Sequence, residues 1–137
     1  MKILFDQDTI NMMNMFGIIA KVQPKDCIIE KERVIFLVNP GEIKTALGEK
    51  NKNLKNLEKR VNKKVRIIIF NPDLIQFVAN LLFPLKDFDI QQEGKNIIIS
   101  AEDRALKGKI YGPGRENLKF ILDTVKRYFD VDEVVVK

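Results

Sequence analysis

The sequence contains no histidine and only one cysteine, Cys27, among its 137 residues. Without histidine, the chain lacks the commonest general base at neutral pH and the commonest metal ligand. One cysteine forms no disulfide within the chain, and without histidine partners it leaves no ligand set for structural zinc. No phosphate-binding P-loop and no recognisable pair of catalytic carboxylates occurs either. We therefore expect no catalytic residues, no metal, no other cofactor and no small-molecule substrate.

Long hydrophobic runs are also missing. Apolar runs such as Ile67–Phe70 and Phe77–Phe83 are far shorter than the roughly 20 residues of a membrane-spanning helix. No charged start followed by an apolar core and a cleavage site is visible, so the sequence does not indicate secretion. Hydrophobic residues make up 45% of the chain and charged residues 31%, which is typical of a soluble globular protein. We expect a cytoplasmic protein without a membrane partner.

The basic residues are unevenly distributed. The net charge of the chain is +5, and the positive excess is concentrated between Gly41 and Arg66. Only Glu42, Glu49 and Glu58 are acidic in this segment. Its basic residues are Lys44, Lys50, Lys52, Lys55, Lys59, Arg60, Lys63, Lys64 and Arg66. A local cluster of this kind is typical of a surface that binds phosphate groups. A solvated charged face is the simpler alternative.

Two segments of the chain resemble each other. Residues 48–55 (GEKNKNLK) and 112–119 (GPGRENLK) share Gly, Asn, Leu and Lys at a constant offset of 64 residues. The pattern continues after the identities end, because at the same offset apolar residues at helical spacing follow in both segments: Leu54, Leu57 and Val61, and Leu118, Ile121 and Val125. An internal repeat is predicted. Chance similarity is disfavoured because identities, periodicity and element order agree at one offset.

The order of predicted elements is the same in both halves. β-branched residues predict strands over Val34–Val38, Val65–Phe70, Ile97–Ile99 and Val131–Val136. Polar turns at Glu30–Arg33 and Glu93–Asn96 precede the first strand of each pair. One helix is predicted from an Asp8 cap to Gly17. A second starts at an Asn71 cap with Pro72 in its first turn and ends before Pro84, with Leu74, Phe77, Val78 and Leu81 as its apolar face.

Each half therefore reads helix, strand, strand, short helix, glycine-containing loop, helix, strand. We expect an α+β protein of two modules, residues 1–70 and 71–137, each with a mixed three-stranded sheet. No Gly/Ser-rich linker separates them, and modules of this size bury little core alone. Rigid packing of the two modules is therefore also expected.

This order of elements around a Gly-x-x-Gly loop resembles the type II KH module. The run VNPGEIKTALGEKNKNLKNLEKRVNKKVRII is similar to the first KH module of archaeal NusA-like proteins, and EDRALKGKIYGPGRENLKFILDTVKRYFDVDEVVV is similar to the second. The segment around Pro24, Asp26, Cys27 and Ile28 is also similar to this family. The resemblance implies an RNA-binding transcription elongation or termination factor, with single-stranded RNA as its ligand and RNA polymerase as a candidate partner.

The resemblance places the RNA-binding residues at the two loops and the helices that follow them. A KH loop holds the backbone of about four nucleotides. The candidate residues are Gly48, Glu49, Lys50, Asn51, Lys52, Lys55 and Lys59 in the first module, and Tyr111, Gly112, Pro113, Gly114, Arg115 and Lys119 in the second. We expect Lys52, Lys55 and Lys59 to share one helix face and Arg115 to hydrogen-bond phosphate. Tyr111 either offers an apolar or stacking surface beside the loop or packs within the module.

Both loops depart from the family pattern at their fourth position, which is Asn51 in one and Arg115 in the other. Asn51 tolerates a positive φ, and Pro113–Gly114 suits a type II turn, so both loops are expected to keep their shape. A side chain at this position also obstructs the close approach of phosphate, and Glu49 adds a negative charge. The alternative function is a degenerate KH module that docks on RNA polymerase or a ribosomal component with weak or no RNA binding.

Overall fold

The computed structural model describes residues 5–137, which form two compact units, residues 5–71 and Pro72–Lys137. The first unit contains α1 Gln7–Ala20, β1 Asp26–Ile29, β2 Arg33–Val38, α2 Ile43–Leu47, α3 Lys52–Val61 and β3 Lys64–Ile69. The second contains α4 Leu74–Leu82, β4 Asp89–Glu93, β5 Asn96–Ser100, α5 Arg104–Tyr111, α6 Glu116–Lys126 and β6 Glu133–Val136. The predicted α+β class and the repeated α-β-β-α-α-β order are confirmed.

Each unit has one mixed three-stranded sheet with the same topology. In the first sheet, β2 is central and pairs antiparallel with β1 and parallel with β3. In the second, β5 takes the central place between β4 and β6. Two adjacent parallel strands need a long crossover connection. The glycine loop lies in that crossover, between α2 and α3 in the first module and between α5 and α6 in the second.

The first module has a continuous apolar core between its helices and one face of β2. Val34, Phe36 and Val38 alternate along the strand toward that face, as the two-residue period of a strand requires. The ring of Phe16 from α1 lies 4.3 Å from that of Phe36, and Leu57 from α3 is completely buried among them. The helix that follows the loop is thus anchored to the sheet by its apolar side.

The second module anchors α6 in the same way. Phe120, Ile121 and Val125 form its buried side. The fully buried ring of Phe77 on α4 lies about 6 Å from those of Tyr128 and Phe129, at 6.2 and 6.0 Å between centroids. All four predicted apolar residues of α4 are buried. Within residues 5–137, no helix is long and apolar enough to cross a membrane.

The two predicted N-caps were wrong. The cap of α1 is Asp6, whose Oδ1 accepts the Thr9 N–H at 2.8 Å, and this bond lowers the pKa of Asp6. Asp8 lies inside the helix, which continues past Gly17 because its buried side extends to Ala20. The second helix begins at Leu74 after Asp73 and not at Asn71. Its start is late because Phe70 still pairs with Val38 in the sheet.

The central strands agree with prediction, and the outer strands are shorter than predicted. Val34–Val38 and Ile97–Ile99 lie within β2 and β5, whereas β3 ends at Ile69. The predicted strand at Val131 begins only at Glu133, because the Asp132 N–H bonds to the Lys95 carbonyl in the preceding turn. The rigid packing of the two modules stays a prediction.

Candidate nucleic-acid interface

The loops of the two modules, residues 48–51 and 112–115, have the same backbone conformation. Gly48 has φ 77° and ψ 169°, and Gly112 has φ 74° and ψ 168°. In each loop the N–H of the fourth residue donates to the carbonyl of the first at 3.1 Å, Asn51 to Gly48 and Arg115 to Gly112. Two sequences that share only their first residue therefore form one and the same turn.

The third and fourth residues of both loops adopt the left-handed conformation. The φ angles are 53° at Lys50 and 59° at Asn51, and 60° at Gly114 and 65° at Arg115. Asn51 keeps the turn as predicted, and Gly114 supplies the positive φ that a Pro-Gly turn needs. Lys50 and Arg115 are disfavoured in this region by about 1–2 kcal/mol each. Backbone strain of this kind persists where the surroundings impose it and is typical of ligand-binding loops.

Asn53 and Asn117, the equivalent asparagines that follow the loops, hold the turn from within the crossover. The Asn53 side chain donates to the Thr45 carbonyl at 3.1 Å, and that of Asn117 donates to the Ile110 carbonyl at 2.9 Å. A Cβ on Gly48 would lie 2.8 Å from Asn53 Cγ, and one on Gly112 would lie 2.7 Å from Asn117 Cβ. The first glycine is thus required by packing as well as by φ. The repeat places asparagine at both positions, but sequence spacing does not give the hydrogen bonds to backbone carbonyls that define this role.

Each loop leads directly into the N-terminus of a helix. The α3 helix starts at Lys52 and α6 at Glu116, and no side chain among the described residues caps either of them. The N–H groups of Lys52 and Glu116 bond to the carbonyls of Glu49 and Pro113 within the turns. The first turn of a helix has further amide donors and a partial positive charge, which together favour a phosphate or another anion.

The predicted lysines of the first module lie together on the exposed side of α3. Lys52, Lys55 and Lys59 are all exposed, opposite the buried Leu57. Lys50 and Glu49 are exposed in the loop itself. The structure therefore gathers the predicted positive side chains of this module on one surface, which begins at the loop and follows α3. We call it the α3 face.

The equivalent surface of the second module, the α6 face, has a different charge pattern. The positions that correspond to Lys52, Lys55 and Lys59 are Glu116, Lys119 and Asp123, and all three are exposed. Two of the three positions therefore carry the opposite charge. Lys119 was predicted as a binding residue by its equivalence to Lys55, and it lies between the two carboxylates along the helix.

Arg115 and Tyr111 form a pair beside the second loop. The guanidinium carbon of Arg115 lies 5.3 Å from the centroid of the Tyr111 ring, within the range of a cation–π interaction. The Tyr111 hydroxyl points to the Val136 carbonyl at 3.5 Å. Tyr111 thus contacts both Arg115 at the loop and the last strand of the module, and its role as a stacking surface stays a prediction. The first module has Leu47 and Asn51 at these two positions.

The whole modules differ in charge in the same sense as their helix faces. Residues 1–71 contain 14 Lys and Arg against 8 Asp and Glu, a net charge of +6, whereas residues 72–137 contain 10 against 11, a net charge of −1. The basic excess of the chain thus belongs entirely to the first module. Within that module, burial lowers the pKa of Arg66, and the positive charge of Arg33 lowers it further.

Comparison with known proteins gives consistent results. The KH domain family matches residues 15–72. A "Probable transcription termination protein NusA" of Thermoplasma acidophilum is 30% identical over 99% of this chain and 96% of that protein. A protein of the same name from Methanocaldococcus jannaschii is 28% identical over 98% of this chain and 75% of its own length. The crystal structure of APE1850 covers 97% of this chain and 100% of that one with a TM-score of 0.77 at 24% identity, which supports the fold alone.

Proposed function

The chain belongs to the archaeal NusA-like family of KH proteins, and from that premise we propose that it binds single-stranded RNA at its two loops. As a family member it is an RNA-binding transcription factor. The finer proposal is that the ligand is the nascent transcript. By holding it, the protein would modulate elongation, pausing or termination by RNA polymerase.

The observation that carries this proposal is the shared conformation of the two loops. Both place two consecutive residues in the left-handed region directly before an uncapped helix N-terminus. Left-handed residues also end other helices of this chain, such as Lys21 after α1. What supports binding here is that the same turn recurs in both modules and leads into helix amides that can receive a phosphate group.

The chemistry of binding follows from these parts. Backbone amides and the helix dipole attract the phosphate at each loop. Arg115 adds a charge-assisted hydrogen bond in the second module, and the lysines of the α3 face add salt-sensitive attraction in the first. A duplex keeps its bases stacked and paired, whereas a single strand exposes base edges and stacking faces to the protein. We therefore expect a preference for unpaired RNA.

The role in transcription rests on the relatives, which are named as probable transcription termination proteins. RNA polymerase is proposed as a partner on the same basis. In an elongation assay with purified archaeal polymerase, the protein should change pausing or termination efficiency. An RNA-binding-deficient variant should lose that effect. If the variant changes pausing or termination as much as the wild type does, the protein does not act on the polymerase through RNA binding.

The direct test is a titration of fluorescent single-stranded RNA and matched duplex RNA at about 50 and 200 mM salt. The wild type should bind the single strand more tightly, and more weakly at the higher salt. Arg115→Asp should weaken binding. Arg104→Asp makes the same charge change at an exposed position of the same module outside the loop, and it should have a smaller effect. Equally weak binding of both RNAs, unaffected by either variant, would contradict the proposed RNA-binding function.

The second candidate is docking on a protein, and the non-glycine residues at the fourth loop positions favour it. The side chains of Asn51 and Arg115 are both exposed at these positions. There they obstruct the close approach of a phosphate group to the loop backbone. Purified polymerase should then be captured by the protein after nuclease treatment. Capture only when RNA is present would count against this function.

A further inference from the structure

We infer that Glu116 and Asp123 are specificity-determining residues that confine the phosphate contacts of the second module to its loop. In the first module the phosphate contacts extend from the loop along the α3 face. This inference rests on the proposed RNA binding and goes beyond it, because it makes the two modules unequal. The first is the principal phosphate-binding module, and the second binds backbone at Arg115 but repels it from the α6 face.

The charge pattern at the start of α3 opposes the stability of that helix, whereas Lys59 lies in the last turn, where a positive charge is favourable. Lys52 occupies the first helical position, where a positive charge is unfavourable because of the helix dipole. Lys52, Lys55 and Lys59 repel one another at spacings of three and four residues. The first turn has no compensating acidic residue. A solvated face without a ligand would favour mixed charges, so the all-positive pattern indicates an anionic ligand along α3.

The charge pattern of α6 has the opposite property. Glu116 occupies the first helical position, where its negative charge is favourable. Lys119 is flanked at three and four residues' distance by Glu116 and Asp123, a spacing that favours a helix and offsets the charge of the lysine at the surface. Lys126 adds one more exposed positive charge at the end of α6. The α6 face is therefore built for helix stability and repels a phosphate backbone near the loop.

The two charge patterns occur on modules with the same backbone geometry. The loops that precede the helices share their φ and ψ angles to within about 15° at the first, third and fourth residues. Backbone geometry therefore does not distinguish the modules, and the side chains at two equivalent positions do. Lys52 corresponds to Glu116, and Lys59 corresponds to Asp123.

The test is a gain of binding. Glu116→Lys with Asp123→Lys gives the α6 face the charges of the α3 face. The control, Glu93→Lys with Glu102→Lys, makes the same total charge change at exposed positions of the same module outside α5, the loop and α6. The salt dependence of single-stranded RNA binding is measured for both and for the wild type, with circular dichroism melting as a second readout.

The swapped variant should bind more tightly than the control. Its log–log salt slope should be steeper than the control's by about 0.7 for each new phosphate contact, or about 1.4 for two. Its thermal midpoint should fall slightly, because α6 loses favourable charges. Equal gains in the swapped variant and the control would overturn the inference while leaving RNA binding intact. No binding by the wild type or either variant would overturn the proposed function, and the inference with it.

Discussion

The two modules have the same turn but different side chains around it. The first has a lysine face that continues from the loop, and its third loop residue is Lys50 in a left-handed conformation. The second has Gly114 at that position, supports Arg115 on Tyr111, and carries Glu116 and Asp123 on its helix. One backbone thus supports two distributions of charge. In the proposed function, the shared turn determines where a phosphate group binds, and the exposed side chains determine how far its contacts extend along the helix.

The largest effect should come from the feature that the modules share. Gly48→Ala places a Cβ within 3 Å of Asn53, and Gly112→Ala places one within 3 Å of Asn117. Both positions have φ and ψ angles that only glycine adopts readily. Each change should lower the free energy of unfolding by about 2–4 kcal/mol, from strain and overlap together. Urea denaturation measures this loss. A loss in one module only would show that the two turns are not equivalent.

Charge reversal on the α3 face should remove the stronger RNA binding that we infer for the first module. Lys52→Glu with Lys59→Asp copies the α6 face onto α3. It should weaken binding of single-stranded RNA by more than about tenfold at 50 mM salt and flatten the salt slope by about 1.4. The control Lys21→Asp with Lys31→Glu changes two exposed lysines of the same module away from the loop.

The same α3 variant should keep its thermal stability nearly unchanged, because the favourable charge of Glu at the first helical position offsets the unfavourable charge of Asp in the last turn. Loss of affinity without loss of thermal stability is the signature of a face kept for binding. A parallel loss of both would point to a purely structural role for Lys52 and Lys59.

The third loop position should show a smaller and opposite effect in the two modules. Lys50→Gly relieves an unfavourable φ of 53° and should raise the free energy of unfolding by about 0.5–1 kcal/mol. Gly114→Ala meets no atom within 4 Å but inherits a φ of 60°, so it should lower stability by about 1 kcal/mol. Urea denaturation of both variants checks the signs. Destabilisation by Lys50→Gly would contradict the strain assigned to this loop.

The smallest effect concerns the pair that only the second module has. Tyr111→Leu introduces the residue found in the first module and removes the support of Arg115. It should weaken RNA binding by about two- to fivefold, the value of one exposed cation–π contact. Tyr111→Phe retains the ring and should bind like the wild type. If both variants are equally impaired, the hydroxyl group and not the ring matters.

The fold was predictable from the sequence because each half repeats the same periodicities. The buried β-branched runs of β2 and β5 and the apolar side of α4 could be read directly, since burial alone determines them. The helix starts could not be, because Asp6, Asp8 and Asn71 are all acceptable caps locally, and the choice depends on how far the neighbouring buried surface and sheet pairing extend.

The candidate site was predictable only in part. The positions of the loops and of the lysines followed from the repeat, and the structure brings them onto common faces. The roles of Asn53, Asn117 and Tyr111 could not be predicted, because they depend on contacts with backbone carbonyls and with Arg115 that sequence spacing does not give. The left-handed conformation of Lys50 and Arg115 was also unpredictable, since neither residue type favours it.

The inequality of the modules can be tested most directly at the one basic position that they share. Lys55 and Lys119 are equivalent in the repeat and both exposed, so Lys55→Ala and Lys119→Ala make the same chemical change on the two faces. In salt titrations with single-stranded RNA, Lys55→Ala should flatten the log–log slope by about 0.7. Lys119→Ala, between two carboxylates, should leave it unchanged. Equal flattening by both substitutions, or a larger effect of Lys119→Ala, would contradict the account.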